Sequence, residues 1–448
     1  MHRLALVLTL LVLSCFAMPA RANGRFPRAQ AILSPPGGDG STVYLRATFG
    51  LLRSGDGGRS WRWTCEEAMG FSGTWDPPVA LGRGGAVWVG LENGLRRGVD
   101  GCAFADVPEL AGQTVRDLTT EPSGDAVAVV TSAERQFTYV WREDAAMSGR
   151  PGDDAGRAGK MRRLGTGLDG VIALTLEIAP SKPSRVYLTA QSIHVPDARL
   201  FRSDDGGTTM KELKVPVPSE PGEEPGRLFV SAVDPKDADR VIFRRLTNRA
   251  SEIVLSTDGG ATLKTVLRME SAFFGFSAAP DGVTYYTGSG VPRDGLFVSR
   301  DRGTSWQLLS KVGVLCLLAT RKAILACNNT GPGELLSTSV DGGKTFATIS
   351  RLADVEPIAC PKCERPWPAV RAVLRPDPGD AGPPAVEPVQ PPVEAGAATS
   401  SVHSAPAPAR RRGCGCVLSD GRVSAPWGLG ILLVGAIARR TQDRRRSR

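Results

Sequence analysis

The stretch Ser54-Gly55-Asp56-Gly57-Gly58-Arg59-Ser60-Trp61 decides the fold, because its pattern returns four more times along the chain. The pattern is Ser, any residue, Asp, any residue, Gly, any residue, Ser or Thr, and then a large apolar residue. The later copies begin at Ser203, Ser256, Ser299 and Ser339. A motif that recurs at the interval of one small sheet predicts a repeat architecture rather than two or three unrelated domains.

Each copy contains the residue types of a hairpin turn. Asp accepts hydrogen bonds from turn amides, Gly takes a positive φ, and the Ser or Thr hydroxyl ties back across the turn. A carboxylate used in this way is poorly placed to act as an acid or a base. We therefore interpret five aspartates as structural: Asp56, Asp205, Asp258, Asp301 and Asp341.

The repeat resembles the Asp-box, or bacterial neuraminidase repeat, of the sialidase and sortilin-like superfamily. All five copies match at Asp, Gly and Ser/Thr. Only the last position varies in type, because two copies have Met210 and Leu263 there instead of an aromatic residue. The resemblance implies an all-β propeller. It is shared by sialidases, xyloglucanase-type glycoside hydrolases, sortilin-type receptors and photosystem assembly factors, so it implies an enzyme in only some cases.

Strand patterns around the boxes indicate the number of blades. Each box follows two β-rich runs, as in 43–47 and 50–53, with an apolar run before them and a fourth strand after the box. This order predicts a four-stranded antiparallel meander. Two incomplete copies of the box, which we call the worn copies, contain Asp100 and Asp144. With them included, the intervals between successive box aspartates are 44, 44, 61, 53, 43 and 40 residues. The sequence therefore predicts a seven-bladed β-propeller over 24–355, closed without strand exchange, with six blades as the second choice.

The segments before and after the propeller have other compositions. Residues 1–22 form a basic start, an apolar run and a small-residue cleavage site, which predicts a secretory signal peptide. A lipoprotein signal at Cys15 is the alternative. Residues 356–412 begin with a Cys-x-x-Cys motif and hold eleven prolines between Pro366 and Pro408, as in a disordered linker.

Residues 413–448 combine a cysteine pair, Cys414 and Cys416, with the apolar run 425–438 and an Arg-rich end. This triple resembles the MYXO-CTERM sorting tail of myxobacterial surface proteins. The apolar run is short for a stable transmembrane helix of about 20 residues. The resemblance implies processing near the cysteine pair and display at the outer membrane or cell surface. A plain single-span membrane anchor is the alternative.

The charge of the chain is concentrated in its tail. The formal net charge is +9, but residues 410–448 hold ten Arg against two Asp and account for +8 of it. The rest is almost neutral and shows no basic footprint for a phosphate backbone. We therefore predict no nucleic-acid partner and expect a monomer that binds an extracellular protein or glycan.

Sialidase chemistry fits the sequence poorly. It requires an Arg triad, a Tyr nucleophile with a Glu partner, and an Asp acid. The stretch Arg25-Phe26-Pro27-Arg28 lacks the family's Phe/Tyr-Arg-Ile-Pro order, and all five Tyr lie in predicted strands. Another glycosidase would need only two carboxylates that face a cleft. We therefore favour a non-catalytic binding or scaffold module, and a surface glycoside hydrolase acting on polysaccharide, sialidase-like or glucanase-like, is the alternative.

Cysteine and histidine positions constrain the remaining chemistry. Assigning Cys15, Cys414 and Cys416 to signals leaves six cysteines, and their sequence neighbourhood suggests Cys65–Cys102, Cys316–Cys327 and Cys360–Cys363 bridges in an exported protein. A zinc site at the Cys-x-x-Cys motif lacks a second ligand pair. The only propeller histidine, His194, has no nearby Cys or Ser partner that would suggest a site. We predict no metal, cofactor or catalytic triad.

Meander topology also predicts where a ligand binds. The box turns lie at one end of the blades, so the connections at the other end converge around the axis. The acidic and aromatic connection 66–76 is the richest of these. The candidate binding residues are Glu66, Glu67, Trp75, Asp76, His194, Arg199, Arg249, Arg293, Asp294 and Asn328.

Overall fold

The computed structural model describes residues 27–72, 76–132, 137–144, 160–195, 197–215, 223–224, 226–328 and 333–375. These residues form seven sheets with four antiparallel strands each, which confirms the seven-bladed propeller. The predicted signal peptide, the proline-rich part of the linker and the tail with Cys414 and Cys416 lie outside the described residues. Among the helices that are described, none is long and apolar enough to cross a membrane.

Every blade is built from consecutive strands, and the first strands of neighbouring blades contact one another around the axis. In chain order the blades are β1–β4 (Ala29–Leu33, Val43–Ala47, Gly50–Ser54, Trp61–Thr64), β5–β8 (Val79–Leu81, Val87–Leu91, Gly94–Gly98, Phe104–Asp106), β9–β12 (Thr114–Thr120, Ala126–Ser132, Phe137–Glu143, Met161–Asp169), β13–β16 (Val171–Ile178, Val186–Ser192, Ala198–Ser203, Lys211–Leu213), β17–β20 (Arg227–Asp234, Asp237–Leu246, Ser251–Ser256, Lys264–Met269), β21–β24 (Phe273–Ala278, Tyr285–Ser289, Leu296–Ser299, Gln307–Ser310) and β25–β28 (Val314–Ala319, Ile324–Asn328, Glu334–Ser339, Ala347–Arg351).

The hydrophobic core lies between the blades. In β10, Val127 and Val129 pack toward the fourth blade, whereas Ala128 and Val130 pack toward the second. All four side chains are fully buried. A strand covered on both faces reads as a continuous apolar run rather than an alternating one, which explains the sequence 126–130.

The box turns have the hydrogen bonds that the motif predicts. At Asp205, Oδ1 accepts from the Thr209 amide at 2.8 Å and Oδ2 accepts from the Thr209 hydroxyl at 2.7 Å. The Ser203 hydroxyl donates to Oδ1 at 2.7 Å. These bonds, that of the Thr209 amide first, lower the pKa of Asp205 to about 2. Equivalent bonds occur at the other four boxes: Asp56, Asp258, Asp301 and Asp341.

Of the two worn copies, the first keeps part of this arrangement. Asp100 Oδ1 accepts from the amides of Cys102 and Ala103 at 2.9 and 2.8 Å. Residues 145–159, which follow Asp144, lie outside the described part of the chain.

The chain folds back onto the first blade after the seventh. A 3₁₀ turn, Leu352–Asp354, leads to β29 (Val355–Pro357), which pairs in parallel with β4. Helices α2 (Pro361–Glu364) and α3 (Trp367–Leu374) follow; α1 (Glu66–Met69) and the 3₁₀ turns Arg83–Gly85 and Pro108–Leu110 lie earlier. We call residues 355–375 the clasp. The folded domain thus continues past the predicted end at 355, and the clasp adds a fifth strand to the first blade although each blade is complete by itself.

Disulfides fix the clasp in place. Cys363 is bonded to Cys65 and Cys360 to Cys102, so the predicted Cys65–Cys102 and Cys360–Cys363 pairings are wrong. Sequence neighbourhood suggested those partners, whereas ring closure brings the Cys-x-x-Cys motif to the first two blades. The third bridge, Cys316–Cys327, joins register partners on adjacent strands as predicted.

Candidate functional site

Six of the seven innermost strands contain a β-bulge. In β9, for example, Val115 pairs with Val130 and Asp117 with Val129, so Arg116 has no partner across the ladder. The bulged residues are Gln30, Arg116, Leu174, Ser231, Phe274 and Leu315. Five of them lie in the first half of their strand, which is nearer the end of the blade opposite the box turns, and Ser231 lies just past the middle of β17. We call the end opposite the box turns the loop end and the ring of six residues the channel mouth.

Each bulge changes the faces to which the neighbouring side chains point. A regular strand alternates its faces, but a bulge places two successive residues on the same side. Val115 and Leu118 therefore both pack on the second blade, and Arg116 and Asp117 face the other way. The same three-residue spacing of apolar side chains occurs in the other five strands. It is the sequence signal that could have revealed the channel mouth, because a plain strand spaces its buried residues by two.

One side of the channel is lined by acidic groups. Gln30 at the mouth donates to Asp76 Oδ2 at 2.7 Å. Further along the inner strands, Asp117 Oδ2 accepts from the Leu176 amide at 2.8 Å and Glu177 Oε2 accepts from the Thr119 hydroxyl at 3.4 Å. The channel walls enclose both carboxyl groups although they keep some exposure to the channel.

Enclosure changes the protonation of these two groups. Burial raises the pKa of Asp117 to about 6. Burial, with the charge of Asp117 added to it, raises the pKa of Glu177 to about 8. Glu177 therefore holds a proton at neutral pH. Sequence reasoning missed both residues because it searched for site residues in loops, and these lie inside strands.

The fifth and sixth blades contribute a buried arginine and aromatic rings. The Arg244 guanidinium lies 4.9 Å from the centroid of Phe229 and donates to Phe273 O at 2.7 Å. Burial, with the charge of Arg227 added, lowers the pKa of Arg244 to about 10. Next to Phe273, the ring of Phe274 is 37% exposed at the mouth. Two enclosed carboxyl groups thus lie on the third and fourth blades, and a buried arginine with aromatic neighbours lies on the fifth and sixth.

The predicted binding residues lie at the loop end on several blades. Glu66 and Glu67 start α1 between the first two blades, and Asp76 reaches the channel mouth through Gln30. Asn328 ends β26. Trp75 lies outside the described residues.

Of the remaining predicted residues, His194, Arg249, Arg293 and Asp294 lie in loops between second and third strands, and Arg199 lies at the start of the third strand β15. His194 and Arg249 are exposed. Arg199 donates to Glu212 at 2.6 Å, and Arg293 is 3.6 Å from Asp294. These loops all lie at the same end of the propeller, because the connection between the second and third strands of an antiparallel blade is always at the end opposite the box turn. Within the described residues no group of three or more His, Cys, Asp or Glu side chains could hold a metal ion.

A separate groove of about 280 Å³ lies between the outer strands of the sixth and seventh blades. Its lining includes Lys311, Lys344 and Phe346, and its carboxylate, Glu334, accepts from the Thr348 hydroxyl at 2.6 Å. The groove is polar and open, and it lies away from the channel mouth.

Comparisons with known proteins show the fold and no family. No protein-family model matches the chain, and no curated protein matches it. Among solved structures it is similar to a GH74 enzyme from Niastella koreensis, at 13% identity over 70% of this chain and 62% of that one, with a TM-score of 0.33. YCF48 from Cyanidioschyzon merolae matches at 14% identity over 69% and 94% of the two chains, with a TM-score of 0.42. The extracellular domain of a one component system from B. thetaiotaomicron matches at 13% identity over 70% and 38%, with a TM-score of 0.44. The chain thus spans less than two thirds of the first and third structures, and the likeness concerns the fold alone.

Proposed function

We propose that this protein is an exported, surface-displayed propeller that binds an extracellular protein or glycan at its loop end without chemically changing it. The observation that carries the proposal is the channel mouth, where bulges in six of the seven innermost strands bring side chains of five residue types to one ring. Bulges that re-aim side chains are often found at functional sites. Loops held by a rigid scaffold are likewise common binding elements.

The disulfides support export. Three bridges are present, and Cys65, Cys360 and Cys363 are fully buried. Such bonds form and persist outside the reducing cytosol. The signal peptide and the MYXO-CTERM-like tail, both expected from the sequence, agree with a protein held at the cell surface.

The distribution of carboxylates supports binding over catalysis. The box aspartates are occupied by turn hydrogen bonds, as Asp205 illustrates. Hydrogen bonds to the ionised form hold the pKa of this carboxylate low, so it cannot donate a proton near neutral pH. The box end therefore serves the architecture, and the loop end is left for recognition.

A binding screen with the mature protein tests this proposal. We expect a glycan or an extracellular protein to bind, and Arg249→Ala or Arg293→Ala to weaken that binding while the melting temperature stays nearly unchanged. Lys344→Ala, in a box turn, is the matched control and should leave binding intact. A ligand that is lost only with box-end substitutions would show that the wrong end has been assigned.

A polysaccharide hydrolase is the second candidate function, and one observation favours it. Asp117 and Glu177 lie on the innermost strands of adjacent blades, and their pKa values are raised to about 6 and about 8. A glycosidase needs such a pair, one carboxyl group protonated and one ionised. Turnover of sialosides or β-glucans that is abolished by Asp117→Asn or Glu177→Gln would move the protein into the enzyme class.

A further inference from the structure

The two disulfides that hold the clasp, which we call the clasp bridges, share one cluster of four cysteines. Cys360 and Cys363 enclose a single turn, in which the Cys363 amide donates to Cys360 O at 2.9 Å. Such a turn holds its two end Cα atoms within about 7 Å, and disulfides span up to about that distance. The Cys65 amide donates to Cys363 Sγ at 3.1 Å. Each clasp bridge therefore contains one cysteine that could instead pair within the Cys-x-x-Cys motif.

The four cysteines differ in their access to solvent. Cys65, Cys360 and Cys363 are fully buried. Cys102 is partly exposed in the turn between β7 and β8. Thiol–disulfide exchange depends on which sulfur an attacking thiolate can reach. An external thiolate therefore meets the clasp bridges first at Cys102, and the thiolate that leaves is that of Cys360.

We propose that Cys102 is the entry point of a relay through which a single dithiol, such as a thiol oxidoreductase carries, opens both clasp bridges. One thiolate of the dithiol bonds to Cys102 Sγ and displaces the Cys360 thiolate. Cys360 then bonds to Cys363 and displaces the Cys65 thiolate. The second thiolate of the dithiol finally attacks its own sulfur in the mixed disulfide and releases Cys102.

The relay consumes one dithiol and leaves one disulfide in the motif. The dithiol is oxidised to a disulfide, and its two hydrogens end on Cys65 and Cys102. Of the two protein disulfides, one is reduced and the other is exchanged for Cys360–Cys363. Cys363 is the second target because only two residues separate it from Cys360, so the entropy cost of closing that loop is small.

The product has no covalent bond between the clasp and the first two blades. The clasp is then held only by non-covalent contacts, among them the pairing of β29 with β4 and the contact of Trp367 with Trp63. The relay thus makes the clasp a releasable element of the ring. It concerns the seam of the propeller and does not depend on what the loop end binds.

Thiol trapping in the mature full-length chain, during treatment with limiting dithiothreitol, tests the relay. The first opened species should carry alkyl labels on Cys65 and Cys102 and a Cys360–Cys363 disulfide, as identified by peptide mapping. The Cys316–Cys327 bridge is the internal control. It is buried and lies outside the Cys-x-x-Cys motif, so it should stay closed.

The double variant Cys102→Ala/Cys360→Ala removes the entry point and the relay thiol but keeps the buried Cys65–Cys363 bridge. This bridge should open about tenfold more slowly than in the parent, because the dithiol must reach a buried sulfur directly. Lost stability acts in the other direction, since easier unfolding would expose the bridge and speed its opening. A bridge that opens in the variant as fast as in the parent would therefore overturn the relay.

Glutathione, a monothiol, tests the order of the steps in the parent protein, so the inference can be tested even if the double variant folds poorly. The mixed disulfide should accumulate on Cys102, with Cys360 bonded to Cys363. Three results would overturn the relay: a first adduct on Cys360, a Cys65–Cys360 product, or clasp bridges that stay closed until urea unfolds the protein. An early species with free Cys102 and Cys360 and an intact Cys65–Cys363 bridge would do the same.

Discussion

The clasp disulfides should contribute more to stability than the hairpin disulfide. We consider paired alanine substitutions, which avoid free thiols: Cys102/Cys360, Cys65/Cys363, all four together, and Cys316/Cys327. The clasp bridges span 298 and 258 residues, whereas the hairpin bridge spans 11. Longer closed loops remove more entropy from the unfolded chain.

The magnitudes follow from how the loops are nested. With Cys65–Cys363 intact, the second clasp bridge closes only the difference between the two loops, about 40 residues, and loop entropy then gives about 4 kcal/mol. Removing both clasp bridges also releases the 298-residue loop, so the total loss is about 10 kcal/mol. Removing the hairpin bridge of 11 residues costs about 3 kcal/mol.

Urea unfolding monitored by tryptophan fluorescence measures these losses. Trp63 is buried with its ring centroid 5.4 Å from that of Trp367 in α3, so its emission also reports whether the clasp is docked. The midpoints should fall in the order hairpin variant, single clasp variant, double clasp variant. The reasoning is refuted if the double clasp variant loses no more stability than the hairpin variant, because the seam would then be held by packing alone.

Three other substitutions test the electrostatics of the fold. The pKa of Glu177 is raised to about 8 in the folded state, so the native protein keeps a proton that the unfolded chain loses above pH 4.5, and stability falls as pH rises between these values. Glu177→Gln should therefore raise the melting temperature at pH 8.5 and change it little at pH 5. An equal change at both pH values would contradict the raised pKa. The pKa of Asp205 is lowered to about 2, so its contribution to the free energy of unfolding is present above pH 4 and lost as pH falls toward 2. Asp205→Asn should lower the free energy of unfolding by about 1 kcal/mol at pH 7, measured by urea titration. A loss of the same size at pH 2 would argue against turn hydrogen bonds to the ionised form. Arg302→Gly relieves the strain of a non-glycine residue at φ 59° but also removes the 2.8 Å bond from Arg302 Nε to the buried carboxylate of Asp234. We expect net destabilisation by about 2 kcal/mol, partly reversed when Asp234→Asn is added. A more stable Arg302→Gly variant would mean that backbone strain outweighs the ion pair.

The features visible in the sequence are those whose contacts are local. The box motif places donor and acceptor within four residues, as between Asp205 and Thr209, so the turn can be predicted without its surroundings. Blade number follows from counting such turns. The channel mouth was missed because a bulge such as Arg116 is defined by the register of a partner strand. The true partners of Cys360 and Cys363 were missed for a related reason. Cys102 and Cys65 come near these two cysteines only when the ring closes.

The clasp also determines where mechanical force enters the molecule. Any chain that follows Arg375 pulls on α3, which lies next to Cys363 and its bond to Cys65 in the first blade. Tension from that side passes through a covalent link to the end of the first blade before it reaches β28. A pull that would peel an ordinary terminal strand from its sheet is thus carried by a disulfide, and β28 is shielded from it.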